Sequence, residues 1–143
     1  MDYLKVLVEE IHSVVVATVD ETGHPHTAVM DMMWEDGKTV YFLTADFKPL
    51  YKRLKEDGRV AVTGMTQGAG TMDRKSISLT GQVEWIGKEH LEELLKANPY
   101  MYEIYPTEEG RSHLQVFRFK NSVGNFYDLT QLPAYQARFE IEG

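Results

Sequence analysis

Cysteine is absent from this sequence. That absence excludes disulfides, thiolate zinc sites, cysteine-ligated iron–sulfur clusters and cysteine nucleophiles together. Any redox chemistry must then come from a bound cofactor. Positive charge is also scarce: 15 lysines and arginines face 22 aspartates and glutamates, a formal charge of −7. Binding along a phosphate backbone needs clustered cations that release counterions, so nucleic acid is not an expected partner, although a local basic pocket is compatible with this balance. No apolar run approaches the roughly 18 residues of a membrane span. The opening Met1-Asp2-Tyr3-Leu4-Lys5 lacks the basic start and apolar stretch of a secretory signal, so the expectation is a cytoplasmic protein. Internal repeats, low-complexity tracts and dividing linkers are missing as well. The 143 residues suit a single domain, 1–143, large enough to bury a core without staples.

What is present is a series of short β-type segments separated by turn residues. Leu4, Leu7, Val8 and Ile11 fall at helical spacing and predict a short amphipathic helix at the start. Ser13 to Val19 is rich in β-branched residues, Asp20-Glu21-Thr22-Gly23 supplies a turn, and His26 to Trp34 resumes an extended pattern, which together predict a hairpin. Asp36-Gly37 marks the next turn and Thr39 to Thr44 a third strand. Lys48 to Glu56, with Leu50 and Leu54 among basic residues, predicts a short basic helix stopped by Asp57-Gly58. Arg59 to Met65 and Lys75 to Ile86 read as strands four and five, joined by the glycine-rich Gln67-Gly68-Ala69-Gly70. A helix over Lys88 to Ala97, a strand over Leu114 to Lys120 and a last strand at Asn125 to Leu129 complete the pattern. Five or six strands in hairpins, with short helices between them, predict a mainly β protein whose antiparallel sheet closes or nearly closes into a barrel, because closure removes exposed edges.

Three segments carry a family resemblance: Ala17-Thr18-Val19-Asp20-Glu21-Thr22-Gly23-His24-Pro25, then Val40-Tyr41-Phe42-Leu43-Thr44, then Leu54 to Val62 with Arg59-Val60 near its end. In this order and spacing they resemble the pyridoxamine 5'-phosphate oxidase-like FMN-binding split barrels. Phe117 to Leu129 is similar to the tail strand of small prokaryotic members, including those related to nitroimidazole-resistance proteins. The resemblance implies a six-stranded antiparallel split β-barrel that binds FMN at a homodimer interface and acts as a flavin-dependent oxidoreductase on a small-molecule substrate. It places flavin contacts on Ala28, Val29, Met30, Asp31, Met32 and Met33 of the second strand and on Leu43 and Thr44 of the third. It also places Lys75 and Ser76 where larger relatives use Arg and Gln near the flavin. Non-catalytic flavin binding, or a related barrel holding haem or a deazaflavin, are the alternatives; His12, His90 or His113 would then be the candidate haem ligand. The Ser-Arg-Lys of the larger oxidases is Lys48-Pro49-Leu50 here, a departure that speaks against vitamin oxidation.

The phosphate end of this reading has its own physical support. A phosphate dianion gains from charge-assisted hydrogen bonds and from a helix N-terminus. Lys48 stands at such a position, and Lys48, Tyr51 and Lys52 are spaced i, i+3 and i+4, so two ammonium groups and a hydroxyl are expected on one helix face. An ordinary solvated basic face is the commoner explanation for an isolated lysine pair. Strand alternation puts Lys75 and Ser76 on opposite faces, so one of the two is expected to reach the site. Other constellations are weaker. His24-Pro25-His26 has two imidazoles but no third metal ligand assigned beside them, and Gln67 to Thr71 matches neither nucleotide-loop pattern. The aromatic run Tyr100 to Tyr105 suits packing, or the lining of a flat-substrate pocket.

Overall fold

Apolar residues that alternate along the chain can bury only one face of a sheet, and here that face rolls inward. The computed structural model describes residues 1–143. Helix α1 (Tyr3–Lys5) runs on into a π-helical turn over Val6–Ile11. The remaining elements are β1 (Ser13–Val19), β2 (Pro25–Asp31), β3 (Trp34–Glu35), β4 (Val40–Ala45), α2 (Pro49–Glu56), β5 (Arg59–Met65), a 3-10 turn (Thr71–Asp73), β6 (Lys75–Gly87), α3 (Leu91–Ala97), α4 (Met101–Ile104), α5 (Glu108–Arg111), β7 (Leu114–Asp128) and β8 (Tyr135–Ile141). The strands form one antiparallel sheet in the order β2-β1-β5-β6-β7-β4-β3, with β8 added to the far half of β7.

The sheet holds eight strands where six are expected from the sequence. The added pair are β3, only two residues long, and β8, which lies beyond a turn containing Pro133. The two strand segments expected at 114–120 and 125–129 are a single strand, β7, bent at Asn121 (φ 47°). The helix expected from Lys88 begins at Leu91, after His90 in a left-handed conformation (φ 62°), and Lys88 instead donates to the Ser112 and Leu114 carbonyls.

Two cores follow from the two faces of the curl. Inward residues Val14, Val16, Val40, Phe42, Val60, Val62, Ile77, Leu79, Phe117, Phe119 and Phe126 fill the barrel, which Leu50 and Leu54 of α2 and Leu7 and Ile11 of the first helical segment close. Tyr41, Leu43, Ala45, Leu114 and Val116 point outward from β4 and β7, and Leu94, Leu95 and Met101 of α3 and α4 cover them. Gly58 makes the tight exit from α2 into β5. It has φ 76°, its carbonyl accepts from Val83 N at 2.7 Å, and a Cβ there would meet the Val83 carbonyl at 2.9 Å.

Candidate functional site

The barrel does not close by hydrogen bonds all the way round. Strand β2 is the last in the sheet order, so one of its edges has no partner strand. Strand β4 is paired with β7 on one side, but on the other it meets β3 only through Val40 and Tyr41, which leaves Phe42 to Ala45 without a ladder there. Strands β2 and β4 nevertheless lie against each other. Two unpaired edges thus meet along a seam, and α2 starts four residues beyond the end of β4. Unpaired edge groups are ready donors and acceptors for a ligand lodged in the seam.

The structure brings the β2, β4 and α2 candidates to this seam, in distinct roles. Ala28 and Met30 face inward and pack against the barrel core, while Val29 is 72% exposed on the outer face. Asp31 accepts hydrogen bonds from Ser13 Oγ (2.6 Å) and from the Tyr100 hydroxyl (2.7 Å). Met32 and Met33 are buried in the first and second cores, and Leu43 lies beneath α3 and α4, so these three offer a ligand no side chain. Thr44 faces inward at 3% exposure, and its hydroxyl has no hydrogen-bond partner. An unsatisfied buried hydroxyl is a standing cost that a bound polar group would relieve.

At the end of the seam, Lys48 is the N-cap of α2, extended, exposed and without a side-chain capping bond. Lys52 lines a groove of about 440 Å³ between α2 and the β1–β2 turn, together with Arg53, His26 and Glu56. Tyr51 does not share that face. Its ring packs edge-on against Phe117 (6.1 Å) and Trp85 (6.3 Å), where Lys55 also sits over Trp85. Arg53 is anchored by Nε donating to the buried Thr18 hydroxyl at 2.8 Å, a contact that spacing along the sequence does not reveal. Four carboxylates also line the groove, of which Glu21 and Glu56 form no ion pair while Asp20 and Asp57 are engaged. Asp20 is held well below the usual carboxylate range, first by His26 (Nε2 to Oδ2, 2.8 Å), then by Thr22 and the His24 amide. Asp57 is drawn down to about 2 by Arg59.

Lys75 and Ser76 lie at the other end of the barrel. Strand β6 carries them away from Trp85, the neighbour of α2, by about 30 Å at ~3.3 Å per residue. They point to opposite faces, as alternation requires. Lys75 reaches Glu10 (3.4 Å) at the barrel mouth, and Ser76 opens onto the outer face. Within one chain they do not join Thr44, Lys48 and Lys52.

Of the candidate haem ligands, His12 uses both ring nitrogens, on the Val8 carbonyl (2.9 Å) and the Tyr100 hydroxyl (2.8 Å). His113 is paired with Asp46 (2.9 Å), and His90 lies against Trp34 and Tyr41. Burial and the hydrogen bond to Asp31 raise the Tyr100 hydroxyl above its ordinary pKa, which fixes it as a donor to that carboxylate. This linkage of the first helix, β2 and α4 was beyond sequence reading, because its members are 88 residues apart.

The outer face of β2, β1, β5 and β6 is bare. Register rows such as Val29–Val15–Thr63–Ser78 and Thr27–Ala17–Ala61–Thr80 carry no charge across four strands. No helix is long and apolar enough to cross a membrane.

A family model described as pyridoxamine 5'-phosphate oxidase matches residues 2–127. Comparison with curated proteins gives no match. Among solved structures, the chain is similar to a NimC/NimA family protein of Clostridium acetobutylicum, at 19% identity over 97% of this chain and 93% of that one, with a TM-score of 0.74. It is similar to a heme binding protein of Mycobacterium smegmatis, at 13% identity over 97% of this chain and 57% of that one, TM-score 0.73. It is also similar to a pyridoxamine 5'-phosphate oxidase-related, FMN binding protein of Nostoc punctiforme, at 11% identity over 90% of this chain and 80% of that one, TM-score 0.64.

Proposed function

The chain belongs to the pyridoxamine 5'-phosphate oxidase family, and from that premise we propose that it binds FMN and acts in the cytoplasm as a flavin-dependent oxidoreductase on a small molecule. The observation that carries the reading is the seam, where two unpaired strand edges meet a buried, partnerless Thr44 hydroxyl just before the start of a basic helix.

Each part has a task suited to its chemistry. Lys48 at the start of the helix and Lys52 in the groove supply ammonium donors to the phosphate dianion, and Arg53, fixed on Thr18, stands beside Lys52 on the groove wall. The Thr44 hydroxyl gains the partner it lacks. The open edges of β2 and β4 offer backbone donors and acceptors to the polar rim of the ring, which lets Ala28, Met30 and Leu43 serve packing instead. FMN, when bound, supplies the one- and two-electron redox chemistry that a chain without cysteine cannot supply itself.

A second copy of the chain completes the proposal. The uncharged rows on the outer face of β1, β2, β5 and β6 suit a homodimer interface, since desolvating them strands no ion. A second copy also supplies what one chain cannot: its own Lys75 and Ser76 end, presented to the first chain's flavin.

The test is an absorption spectrum of the purified protein, followed by titration with FMN. Saturable FMN binding is expected, weakened roughly tenfold or more in Lys48→Ala with unchanged folding stability, the size of one lost charge-assisted hydrogen bond. Unchanged affinity would remove Lys48 from the phosphate site. A Soret band and no flavin uptake would move the protein to haem binding, the activity in the name of its Mycobacterium smegmatis structural relative.

A further inference from the structure

The connection between β5 and β6 holds a cation with no counter-ion. Arg74 is half-buried, and its Nε is a buried donor with no hydrogen-bond partner. Its other nitrogens have neutral partners: one donates to the Met65 thioether, a weak acceptor, at 3.6 Å and one to the Gly68 carbonyl at 3.2 Å. Arg59, Arg118 and Arg138 are each matched with a carboxylate, on Asp57, Glu84 and Glu140. Arg53 and Arg111, which have none, are held by the Thr18 hydroxyl and the Tyr105 carbonyl without a buried donor left unbonded. Arg74 has no carboxylate within ion-pairing distance. A half-buried guanidinium with one buried donor unbonded and its charge unmatched gains from a ligand that satisfies it.

The surroundings say what fits. Arg74 lines a cleft of about 440 Å³ on the bare outer face. Val15, Val29 and Met65, all exposed, line it with apolar surface, and Gln67, Thr63 and Ser76 line it with polar side chains. An apolar surface with a few placed polar groups and one cation is the composition of a small-molecule site. The cation is single, so it balances one negative charge rather than the two of a phosphate. A guanidinium fork matches a carboxylate with two parallel bonds.

We propose that this cleft takes a small, flat molecule bearing one carboxylate, with Arg74 binding the carboxylate and Val15, Val29 and Met65 receiving the flat apolar face. As the substrate class of the flavoenzyme it rests on the reading above, because a second copy seated on the outer face would roof the cleft. The carboxylate contact itself requires no flavin.

The probe is benzoate, with neutral benzamide as its control, titrated calorimetrically into the full-length protein with and without FMN. Benzoate is expected to bind saturably and benzamide not. Arg74→Gln is expected to weaken benzoate roughly 10- to 100-fold while elution volume and FMN affinity stay as in the wild type. Arg74→Lys, which keeps the charge and loses the fork, should fall between them and serves in its place should the glutamine variant not fold. Absence of benzoate binding, or equal binding by the Arg74 variants, would overturn the proposal. So would a glutamine variant that elutes as a monomer, since the missing counter-ion would then belong to the second copy. Benzoate binding that depends on Arg74 in a protein taking up no FMN would uphold the cleft and refute the flavin reading, which keeps the two failures apart.

Discussion

The outer surface of the sheet is treated in two opposite ways. Over β4 and the near half of β7, the residues Tyr41, Leu43, Ala45, Leu114 and Val116 are buried under α3 and α4. Over β1, β2 and β5, the residues Val15, Val29 and Met65 stand in solvent. The covered positions are apolar throughout, whereas the bare rows mix Val and Ala with Thr and Ser, and the 26 residues between β6 and β7 build a lid for the first while nothing in the chain covers the second. A sheet face that its own chain covers belongs to folding stability. A face left bare, with exposed Val15, Val29 and Met65, a cleft and an unmatched guanidinium in it, is available for binding.

Mutation of the covered half separates these roles most strongly. Leu94→Ala, at a fully buried position under the lid, is expected to cost about 2–5 kcal/mol of unfolding free energy, read from urea denaturation, because it removes apolar contact and leaves a cavity. A loss below about 1 kcal/mol would mean that the lid is only loosely seated and that the two faces differ less than their burial indicates.

Thr44→Val acts at the seam and should give two effects of opposite sign. Replacing a buried, unbonded hydroxyl by a methyl is expected to stabilise the ligand-free protein by about 1 kcal/mol in the same denaturation measurement and to weaken FMN in titration. Stabilisation with unchanged FMN affinity would make Thr44 a plain packing defect.

Much of the architecture was legible in the residues. β-Branched runs mark β1 and β5, and the Asp57-Gly58 stop falls where α2 gives way to β5. Strand β8 carries a readable alternation, with Ala137, Phe139 and Ile141 turned inward against Gln136, Arg138 and Glu140. The turn at Leu132-Pro133 sets this short alternation apart from the strand before it, so the sequence pattern ends at Leu129. Strand β7 read as two because Asn121 and Gly124 interrupt its apolar rhythm. The site was legible in part. Sequence order alone puts Thr44 and Lys48 together, since they are neighbours along the chain. Helical spacing set Tyr51 beside Lys52, and the packing of Trp85 and Phe117 drew it to the other flank. Arg74 gave no signal at all, because whether a cation is matched depends on which carboxylates the fold brings near it.

In the proposed assembly the bare face joins two copies around a shared flavin site, and Val29→Asp places a charge within that contact. At 72% exposure this change should move folding stability by no more than about 0.5 kcal/mol, the smallest effect of the three on the fold. Sedimentation of both proteins with FMN present reads assembly and flavin together. The expected result is a flavin-bearing dimer for the wild type and a folded, flavin-poor monomer for Val29→Asp. A Val29→Asp protein that sediments as the wild type does and carries as much flavin would contradict it.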